Sequence, residues 1–473
     1  MQDKLQFYSH RIFHENNRIY VYCINNTGLF EIDDRTKKLI EQEGKSYEEA
    51  YIAVKEMFTR EEFLNLINAM KDNYFVVTKE NDEIVEAGKQ VEPSEHILSL
   101  TLLLAQECNL RCTYCYAEDG EYYDKGIMSP ETATKAIDFL IAQSGDYDKL
   151  SVVLFGGEPL MAMPTIKELV PYIREYEKKT GKKININMTT NGTLITQEIE
   201  DYLIKNQIGV QISIDGDKET HDHNRFYANK NGSYDSVLSH TENMRRKKLL
   251  SARATLTGKQ LNLRHTFEHL DQLNFRSIAI APASNLLSEE DFENLIQEEI
   301  DFIHYFESLV KAKEYEKASK MKMVVGNLRR IHTGGMRNLP CGVGRNMYAV
   351  DIHGDLYPCH RFVNSKEFVL GSVNNNANKR NEFIDDIKLS NHSQCSSCWA
   401  QNLCLGHCPH ENFTLTGSTT MPFEKVCSIT RAKFDELVHM YLRLTPNEKD
   451  IIFSSSNHNP VKKDESLKQT VSV

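Results

Sequence analysis

Short apolar runs alternate with helical patterns from about residue 96 to 325, which predicts an α/β protein centred on a partial (β/α)6 TIM-like barrel. Two further observations set its flanks. A small unit with hairpin and helical patterns, winged-helix-like in its order, comes before the barrel. A Cys- and Gly-rich stretch with few long periodic segments follows, and implies a domain held by metal. The divisions fall at 1–92, 93–325 and 326–450, and the polar segment 451–473 reads as a disordered tail.

The N-terminal unit contains the β-branched stretch RIYVYCI (18–24), the turn signal NNTG and the short run LFEI, a hairpin pattern. Helical periodicity follows in RTKKLIEQ, SYEEAYIAVKEMF and TREEFLNLINAMKDN, where Thr59 and Glu62 have the spacing of a capping box. YFVV (74–77) is expected to close the unit as a strand, and the polar segment 78–95 to be a linker. Six barrel strands are expected in HILSLTLLLA, KLSVVLFGG, KININMTTNG, GVQISIDG, SARATLTG and FRSIAIAPA. Loops at the C-terminal ends of such strands carry the chemistry in barrel enzymes.

Composition narrows the function classes. The formal charge is -11, and residues 1–90 hold 12 Lys and Arg against 17 Asp and Glu, so neither the chain nor its first module offers the positive field that nucleic acid requires. The polar start lacks a secretory signal, and the longest apolar run, 97–105, falls far short of the roughly 20 residues that cross a bilayer. A cytoplasmic protein with no membrane partner is expected. Eleven cysteines in a reducing compartment, ten of them clustered at short spacing, point to metal or redox chemistry rather than disulfides. Cys23, alone in an apolar strand, reads as a small buried hydrophobe.

Immediately after the first barrel strand comes CNLRCTYCYAEDG (108–120), with Cys108, Cys112 and Cys115 at the spacing C-x3-C-x2-C. Zinc sites and ordinary iron-sulfur clusters take four protein ligands. Three thiolates on a 4Fe-4S cluster leave one iron open to a small chelating molecule. Positions i, i+4 and i+7 would also share one face of a helix, but the surrounding polar residues and the EDG turn favour a loop.

This motif, with Tyr114 before the last cysteine, resembles that of the radical S-adenosylmethionine (SAM) enzymes. The resemblance implies that the methionyl amino and carboxylate groups of SAM chelate the open iron. One electron then cleaves the S–C5' bond, giving a 5'-deoxyadenosyl radical that takes hydrogen from a substrate. It also implies roles at later strand ends. Gly156 and Gly157 of FGGEP permit close backbone approach, and Glu158 accepts from the SAM amino group. Asn191 of TTNG faces the ribose or carboxylate. Ser213 of ISIDG and Arg225 of DHNRF bind the carboxylate, and Tyr116 and Ala117 pack near adenine.

Downstream the cysteines run C-x12-G-x4-C from Cys341 through Gly354 to Cys359, then C-x2-C-x5-C-x3-C over Cys395, Cys398, Cys404 and Cys408, and finally Cys427. This pattern resembles the SPASM extension of some radical SAM enzymes, and the two resemblances together cover about residues 96 to 430. Two auxiliary 4Fe-4S clusters are implied, making three in all. One is closed by Cys395, Cys398, Cys404 and Cys427; the other has three ligands, Cys341, Cys359 and Cys408. Structural zinc is the competing reading. Some relatives place a further cysteine where this chain has Gly335, so the second set is left with an open iron for a substrate thiolate, or for His332, His353, His360, His407 or His410.

The N-terminal module is similar to the RiPP recognition element, which binds the leader of a ribosomally made precursor peptide. Strand pairing along an exposed β edge, supplied by the RIYVYCI hairpin, suits such capture. The expected function is a peptide maturase forming thioether crosslinks between Cys sulfur and carbon, as in sactipeptide and ranthipeptide pathways, with electrons from a flavodoxin- or ferredoxin-type donor. A carbon-carbon crosslinker, a sulfatase-maturase-like enzyme and, from another class, a multi-cluster electron carrier or redox sensor are the alternatives. Sulfatase maturases have Asp after the second SPASM cysteine, where this chain has His360.

Overall fold

A computed structural model describes residues 4–89, 96–117, 120–335, 337–375 and 379–454. At the N-terminus, β1 (His10–Glu15), β2 (Arg18–Cys23) and β3 (Leu29–Ile32) form an antiparallel sheet in that order. The expected hairpin is β2–β3. The additional strand β1 arises because Asn16 and Asn17 both take positive φ, closing a tight two-residue turn to β2. Four helices follow: α1 (Asp34–Ile40), α2 (Tyr47–Val54), α3 (Arg60–Asp72) and α4 (Lys79–Lys89). Thr59 and Glu62 make the anticipated capping box of α3. Leu5, Cys23, Leu39, Phe63, Ile67 and Val76 form the module's core.

Two expectations need correction here. YFVV does not make a strand; Val76 forms only an isolated bridge with Phe7. The segment 78–95 is helical over α4, because Val85 enters the module's core and the buried Asn81 amide donates to the carbonyls of Lys71 and Val76. Residues 90–95 lie outside the described residues.

The central sheet is parallel over the six anticipated strands. These are β4 (Ser99–Ala105), then, past the short β5 (Leu110–Cys112), β6 (Lys149–Gly156), β7 (Lys183–Thr190) and β8 (Gly209–Ser213). Past the short β9 (Arg225–Tyr227) come β10 (Leu250–Leu256) and β11 (Ser277–Pro282). The order β11-β10-β8-β7-β6-β4 follows the chain, as in a partial barrel. Its far side is extended by β12 (Met347–Val350), parallel to β4, and then by β13 (Asp355–Tyr357) and β14 (Gly371–Ser372). Thus the cysteine-rich region contributes directly to the barrel sheet.

The two faces of that sheet differ. Leu150, Val152 and Leu154 alternate into the main core with residues of the surrounding helices. Asn185, Asn187, Gln211, Ser213, Ser251 and Arg253 have the opposite parity and are half-buried or exposed. A parallel sheet buried on both faces would be apolar throughout. Over β7, β8 and β10 the inward face is polar and partly open, a lumen wall suited to a polar ligand, while β4 and β6 present Leu103, Val153 and Phe155.

Helix Glu289–Lys311 packs against helix Glu424–Arg443, with Arg443 ion-paired to Glu307, Glu436 and Glu15. The second of these shows that the cysteine-rich region holds a long regular element after all. A last helix, Pro446–Ser454, buries Ile452, so the chain remains ordered past residue 450; residues 455–473 lie outside the described residues. The N-terminal sheet is seated on the cysteine-rich region through Trp399, whose ring lies 5.8 Å from Phe13 and 6.2 Å from Tyr22. Arg11 stacks over the same indole at 4.3 Å and pairs with Asp435 at 2.6 Å.

Candidate active site at the C-terminal ends of the barrel strands

The triplet lies where β4 ends, and the strand β5 within it pairs with β9, so that Cys112 stands opposite Arg225. The FGGEP turn at the end of β6 holds the loop by its backbone. Gly157 N–H donates to Ala105 O at 2.7 Å and Glu158 N–H to Glu107 O at 2.9 Å. A Cβ on Gly156 would meet Ala105 O at 2.2 Å, and one on Gly157 would meet Glu107 O at 2.3 Å. Both glycines are therefore required by the close approach of the cysteine loop.

Glu158 is fully buried. Its Oε1 accepts from Leu160 N–H and from the Thr190 hydroxyl at 2.6 Å, and its Oε2 from Asn191 N–H at 2.8 Å. Burial raises its pKa, and these three donors oppose the rise. The carboxylate ties the β6 and β7 exits together and keeps acceptor capacity at Oε2. Asn191 donates from Nδ2 to Asn109 Oδ1 at 2.9 Å and faces the Cys108 thiol at 3.7 Å, while its Oδ1 accepts from Thr193. It thus fixes the first cysteine's position.

On the opposite side of the triplet, Arg225 is buried with its Nη1 3.8 Å from the Cys112 sulfur and its guanidinium 5.3 Å from the Tyr114 ring. The acid that holds both is Asp215, which accepts from Tyr114 Oη at 2.5 Å, Arg225 Nε at 3.1 Å and Thr255 N–H at 2.9 Å. Sequence reasoning missed Asp215, although it stands two residues after Ser213 in ISIDG. It also missed buried Asn224, whose Oδ1 accepts from Thr113 and Thr257 while its Nδ2 has no partner among the described residues. Ser213 lies half-buried on the inward face, in register with Arg253. Ala117 is buried, and Tyr116 turns its ring toward Tyr122, His360 and His410 at 6.0 to 6.4 Å.

By the charges they exert on one another, the ten clustered thiols divide into three sets. Cys108, Cys112 and Cys115 feel one another's charge, as do Cys341, Cys359 and Cys408, and again Cys395, Cys398, Cys404 and Cys427. Burial pushes Cys108, Cys359 and Cys427 up to about 12 and Cys112, Cys395 and Cys404 up to about 11. Thiols held so high become thiolates only when a cation displaces the proton. Among the described residues no group of three or more His, Cys, Asp or Glu side chains converges on a single-ion site. The donor chemistry fits iron-sulfur clusters, with three, three and four thiols at hand.

The five candidate histidines separate. His332 stacks on Phe453 at 4.1 Å and His353 stands 3.8 Å from Asp124. His407 lies between Thr430 at 2.8 Å and Glu411 at 3.4 Å. His360 and His410 lie nearest the barrel mouth: the His360 ring is 4.5 Å from Phe155, and that of His410 is 5.0 Å from Phe362. Burial, reinforced by Arg361, lowers their pKa values to about 3 and about 4. Gly335 donates its N–H to the Asn26 carbonyl.

Comparison with known proteins gives matching results. The family model of the radical SAM superfamily matches residues 102–273. The radical SAM cyclopropyl synthase TigE of Paramaledivibacter caminithermalis is 27% identical over 46% of this chain and 50% of its own length, so this chain spans about half of that relative. A cysteine-type anaerobic sulfatase-maturating enzyme of Clostridium novyi is 24% identical over 66% of this chain and 88% of its own. Among solved structures, native anSMEcpe with bound AdoMet superposes with a TM-score of 0.63 at 21% identity, covering 73% of this chain and all of that one, which shows a shared fold.

Proposed function

Because this chain belongs to the radical SAM superfamily through residues 102–273, we propose that it is a peptide maturase that closes thioether crosslinks in a ribosomally made precursor. The observation that carries this reading is the set Cys341, Cys359 and Cys408, one thiol short of a closed cluster, whose neighbour His360 packs on Phe155 at the barrel mouth. An open iron there would take a substrate thiolate. The cofactors in this reading are SAM and three 4Fe-4S clusters: one on Cys108, Cys112 and Cys115, one on Cys341, Cys359 and Cys408, and one on Cys395, Cys398, Cys404 and Cys427. When bound, the first cluster and SAM supply the one-electron step that generates a hydrogen-abstracting radical.

The chain's own residues do the rest. Gly157 anchors the cysteine loop at Ala105 and Asn191 faces Cys108; Asp215 orients Arg225, which with Ser213 would take the SAM carboxylate, and Glu158 would take the SAM amino group. Tyr116 and Ala117 would border its adenine. Abstraction moves one hydrogen atom from a peptide carbon to the adenosyl group. C–S closure releases the thiol proton and one electron; clusters held by Cys341, Cys359 and Cys408 and by Cys395, Cys398, Cys404 and Cys427 would supply the acceptor for that electron. A flavodoxin- or ferredoxin-type donor provides the first electron.

The leader docks on the N-terminal module in this reading. The middle strand of that sheet is β2, so RIYVYCI itself has no free edge; β1 is held against the helix Glu424–Arg443 by Arg11–Asp435 and Glu15–His439, which leaves β3 as the pairing edge in this reading. Beside β3 and α3 runs a groove lined by Val21, Phe30, Ile32, Leu66, Met70 and Phe75, which fits the apolar side chains of an added strand.

Anaerobic, cluster-reconstituted protein given SAM and dithionite should form 5'-deoxyadenosine. With a Cys-containing precursor encoded beside it, peptide mass should fall by two hydrogens per crosslink. Cofactor cleavage with unchanged peptide mass would sink the crosslinking step. Loss of a Cys thiol to an aldehyde would favour the sulfatase-maturase-like reading, and a crosslink leaving every thiol free would indicate carbon-carbon bonding.

A further inference from the structure

Past the first residue of each strand, Arg253 of β10 is the one charged side chain on the inward face of the six barrel strands, among the described residues. Its register neighbours, Ser213 on β8 and Ala279 on β11, are small and leave the guanidinium room. Facing it across the lumen is the turn His360–Asn364, fixed there by the His360 ring on Phe155. This turn carries Arg361, also half-buried. The charges of Arg253 and Arg361 reach each other, and both reach His360.

Two like charges in a half-buried space repel, and partly desolvated guanidinium groups need acceptors. Neither arginine has an ion pair or side-chain hydrogen bond among the described residues, and the nearby acids are committed elsewhere. Asp215 is taken by Tyr114, Arg225 and Thr255. Glu411 is taken by Ser284 and His407. Every other inward polar group around Arg253, from Asn187 and Gln211 to Ser251 and Thr255, is neutral. The lumen therefore presents two fork-shaped donors to which neither Asp215 nor Glu411 is hydrogen-bonded, although the charges of those acids reach them, an arrangement that can take a carboxylate.

We infer that Arg253 and Arg361 form a receptor for a carboxylate in the barrel lumen, one that holds an acidic side chain, Asp or Glu, of the peptide beside the reacting carbon. The inference rests on the peptide-maturase reading and gives it a substrate class. The methionyl carboxylate of SAM has the same chemistry and is the other source, and the test distinguishes them.

The test uses phenylglyoxal labelling of the full-length, cluster-loaded protein, mapped by peptide mass spectrometry. The probes are N-acetylglutamic acid 1-amide, its glutamine analogue, and SAM. The acid should slow labelling of both Arg253 and Arg361 by about threefold or more, with no effect from the amide. If SAM alone protects Arg253, and Arg253→Gln raises the SAM dissociation constant by about tenfold, the carboxylate held there is the cofactor's and the assignment to an acidic peptide side chain is overturned. Equal labelling with acid, amide and SAM overturns the receptor. Arg361→Gln should abolish the acid's protection of Arg253, and retention of that protection overturns the pairing of the two arginines. Deoxyadenosine formation by the same preparation reports separately on the reading beneath, because labelling requires no turnover.

Discussion

Arg225 and Asp215 form a buried ion pair at 3.1 Å beneath the cysteine triplet, and the same carboxylate takes the Tyr114 hydroxyl at 2.5 Å. The pair aims the rest of the guanidinium toward the Cys112 sulfur. Removing one partner of such a pair leaves a buried charge uncompensated, at a cost of about 3 to 5 kcal/mol. Asp215→Asn keeps the shape and loses the charge. It should lower the urea midpoint of unfolding and weaken SAM binding by about tenfold or more, while iron content stays that of the parent. Unaltered SAM affinity in the folded variant would show that Arg225 needs no such anchor.

The FGGEP turn makes a different prediction. In Gly157→Ala the new Cβ starts 2.3 Å from the Glu107 carbonyl, which is backbone and cannot swing aside. The cysteine loop must shift, carrying Cys108 away from Asn191. Roughly four irons per chain should be lost, the content of one cluster, with the remainder retained. Iron analysis after anaerobic reconstitution reads this directly, and a full complement of iron would contradict it.

The six barrel strands were legible because each is a short apolar or alternating run set between helical patterns, and the capping box of α3 is a local signal. What failed depended on partners distant in sequence. The strand β12 is four residues long and exists because β4 offers it an edge. The helix α4 reads as polar linker until Asn81 and Val85 find the module's core. Asp215 carried no signal of its own in the sequence, since its partner Tyr114 is 101 residues away. Arg253 gave no motif at all; only the strand's parity places it in the lumen.

His221 supplies a pH dependence. Burial, with Arg225 adding to it, holds its pKa well below the ordinary value of 6.5, and the ring sits against the Asp215 amide and the Ser233 hydroxyl. The unfolded chain binds a proton below pH about 6.5 and the folded chain does not. Stability from this residue is complete above that pH and is lost as pH falls toward the depressed folded value. The slope is about 1.4 kcal/mol per pH unit. His221→Gln should flatten the fall in unfolding free energy between about pH 5 and pH 6.5 by that slope, measured by urea titration. An unchanged slope would mean that the imidazole is protonated inside the fold.

The three thiol sets can be separated one at a time. If each holds a 4Fe-4S cluster, the loaded chain carries roughly twelve irons, and replacing one ligand with Ser should remove about four. Cys395→Ser should unload the four-thiol set and leave the Cys341, Cys359 and Cys408 set intact, although Cys404 and Cys408 are close in sequence, because Cys404 feels the charges of Cys395 and Cys398 while Cys341 feels that of Cys408. Cys341→Ser should do the converse. Cys23→Ala is the control: that thiol is buried in the N-terminal core, donates to the Tyr74 carbonyl at 3.8 Å and is held up at about 11. Its loss should cost about 1 kcal/mol of stability and no iron. Zinc in place of iron in either C-terminal set would remove the electron acceptor that C–S closure needs, and with it the thioether mechanism.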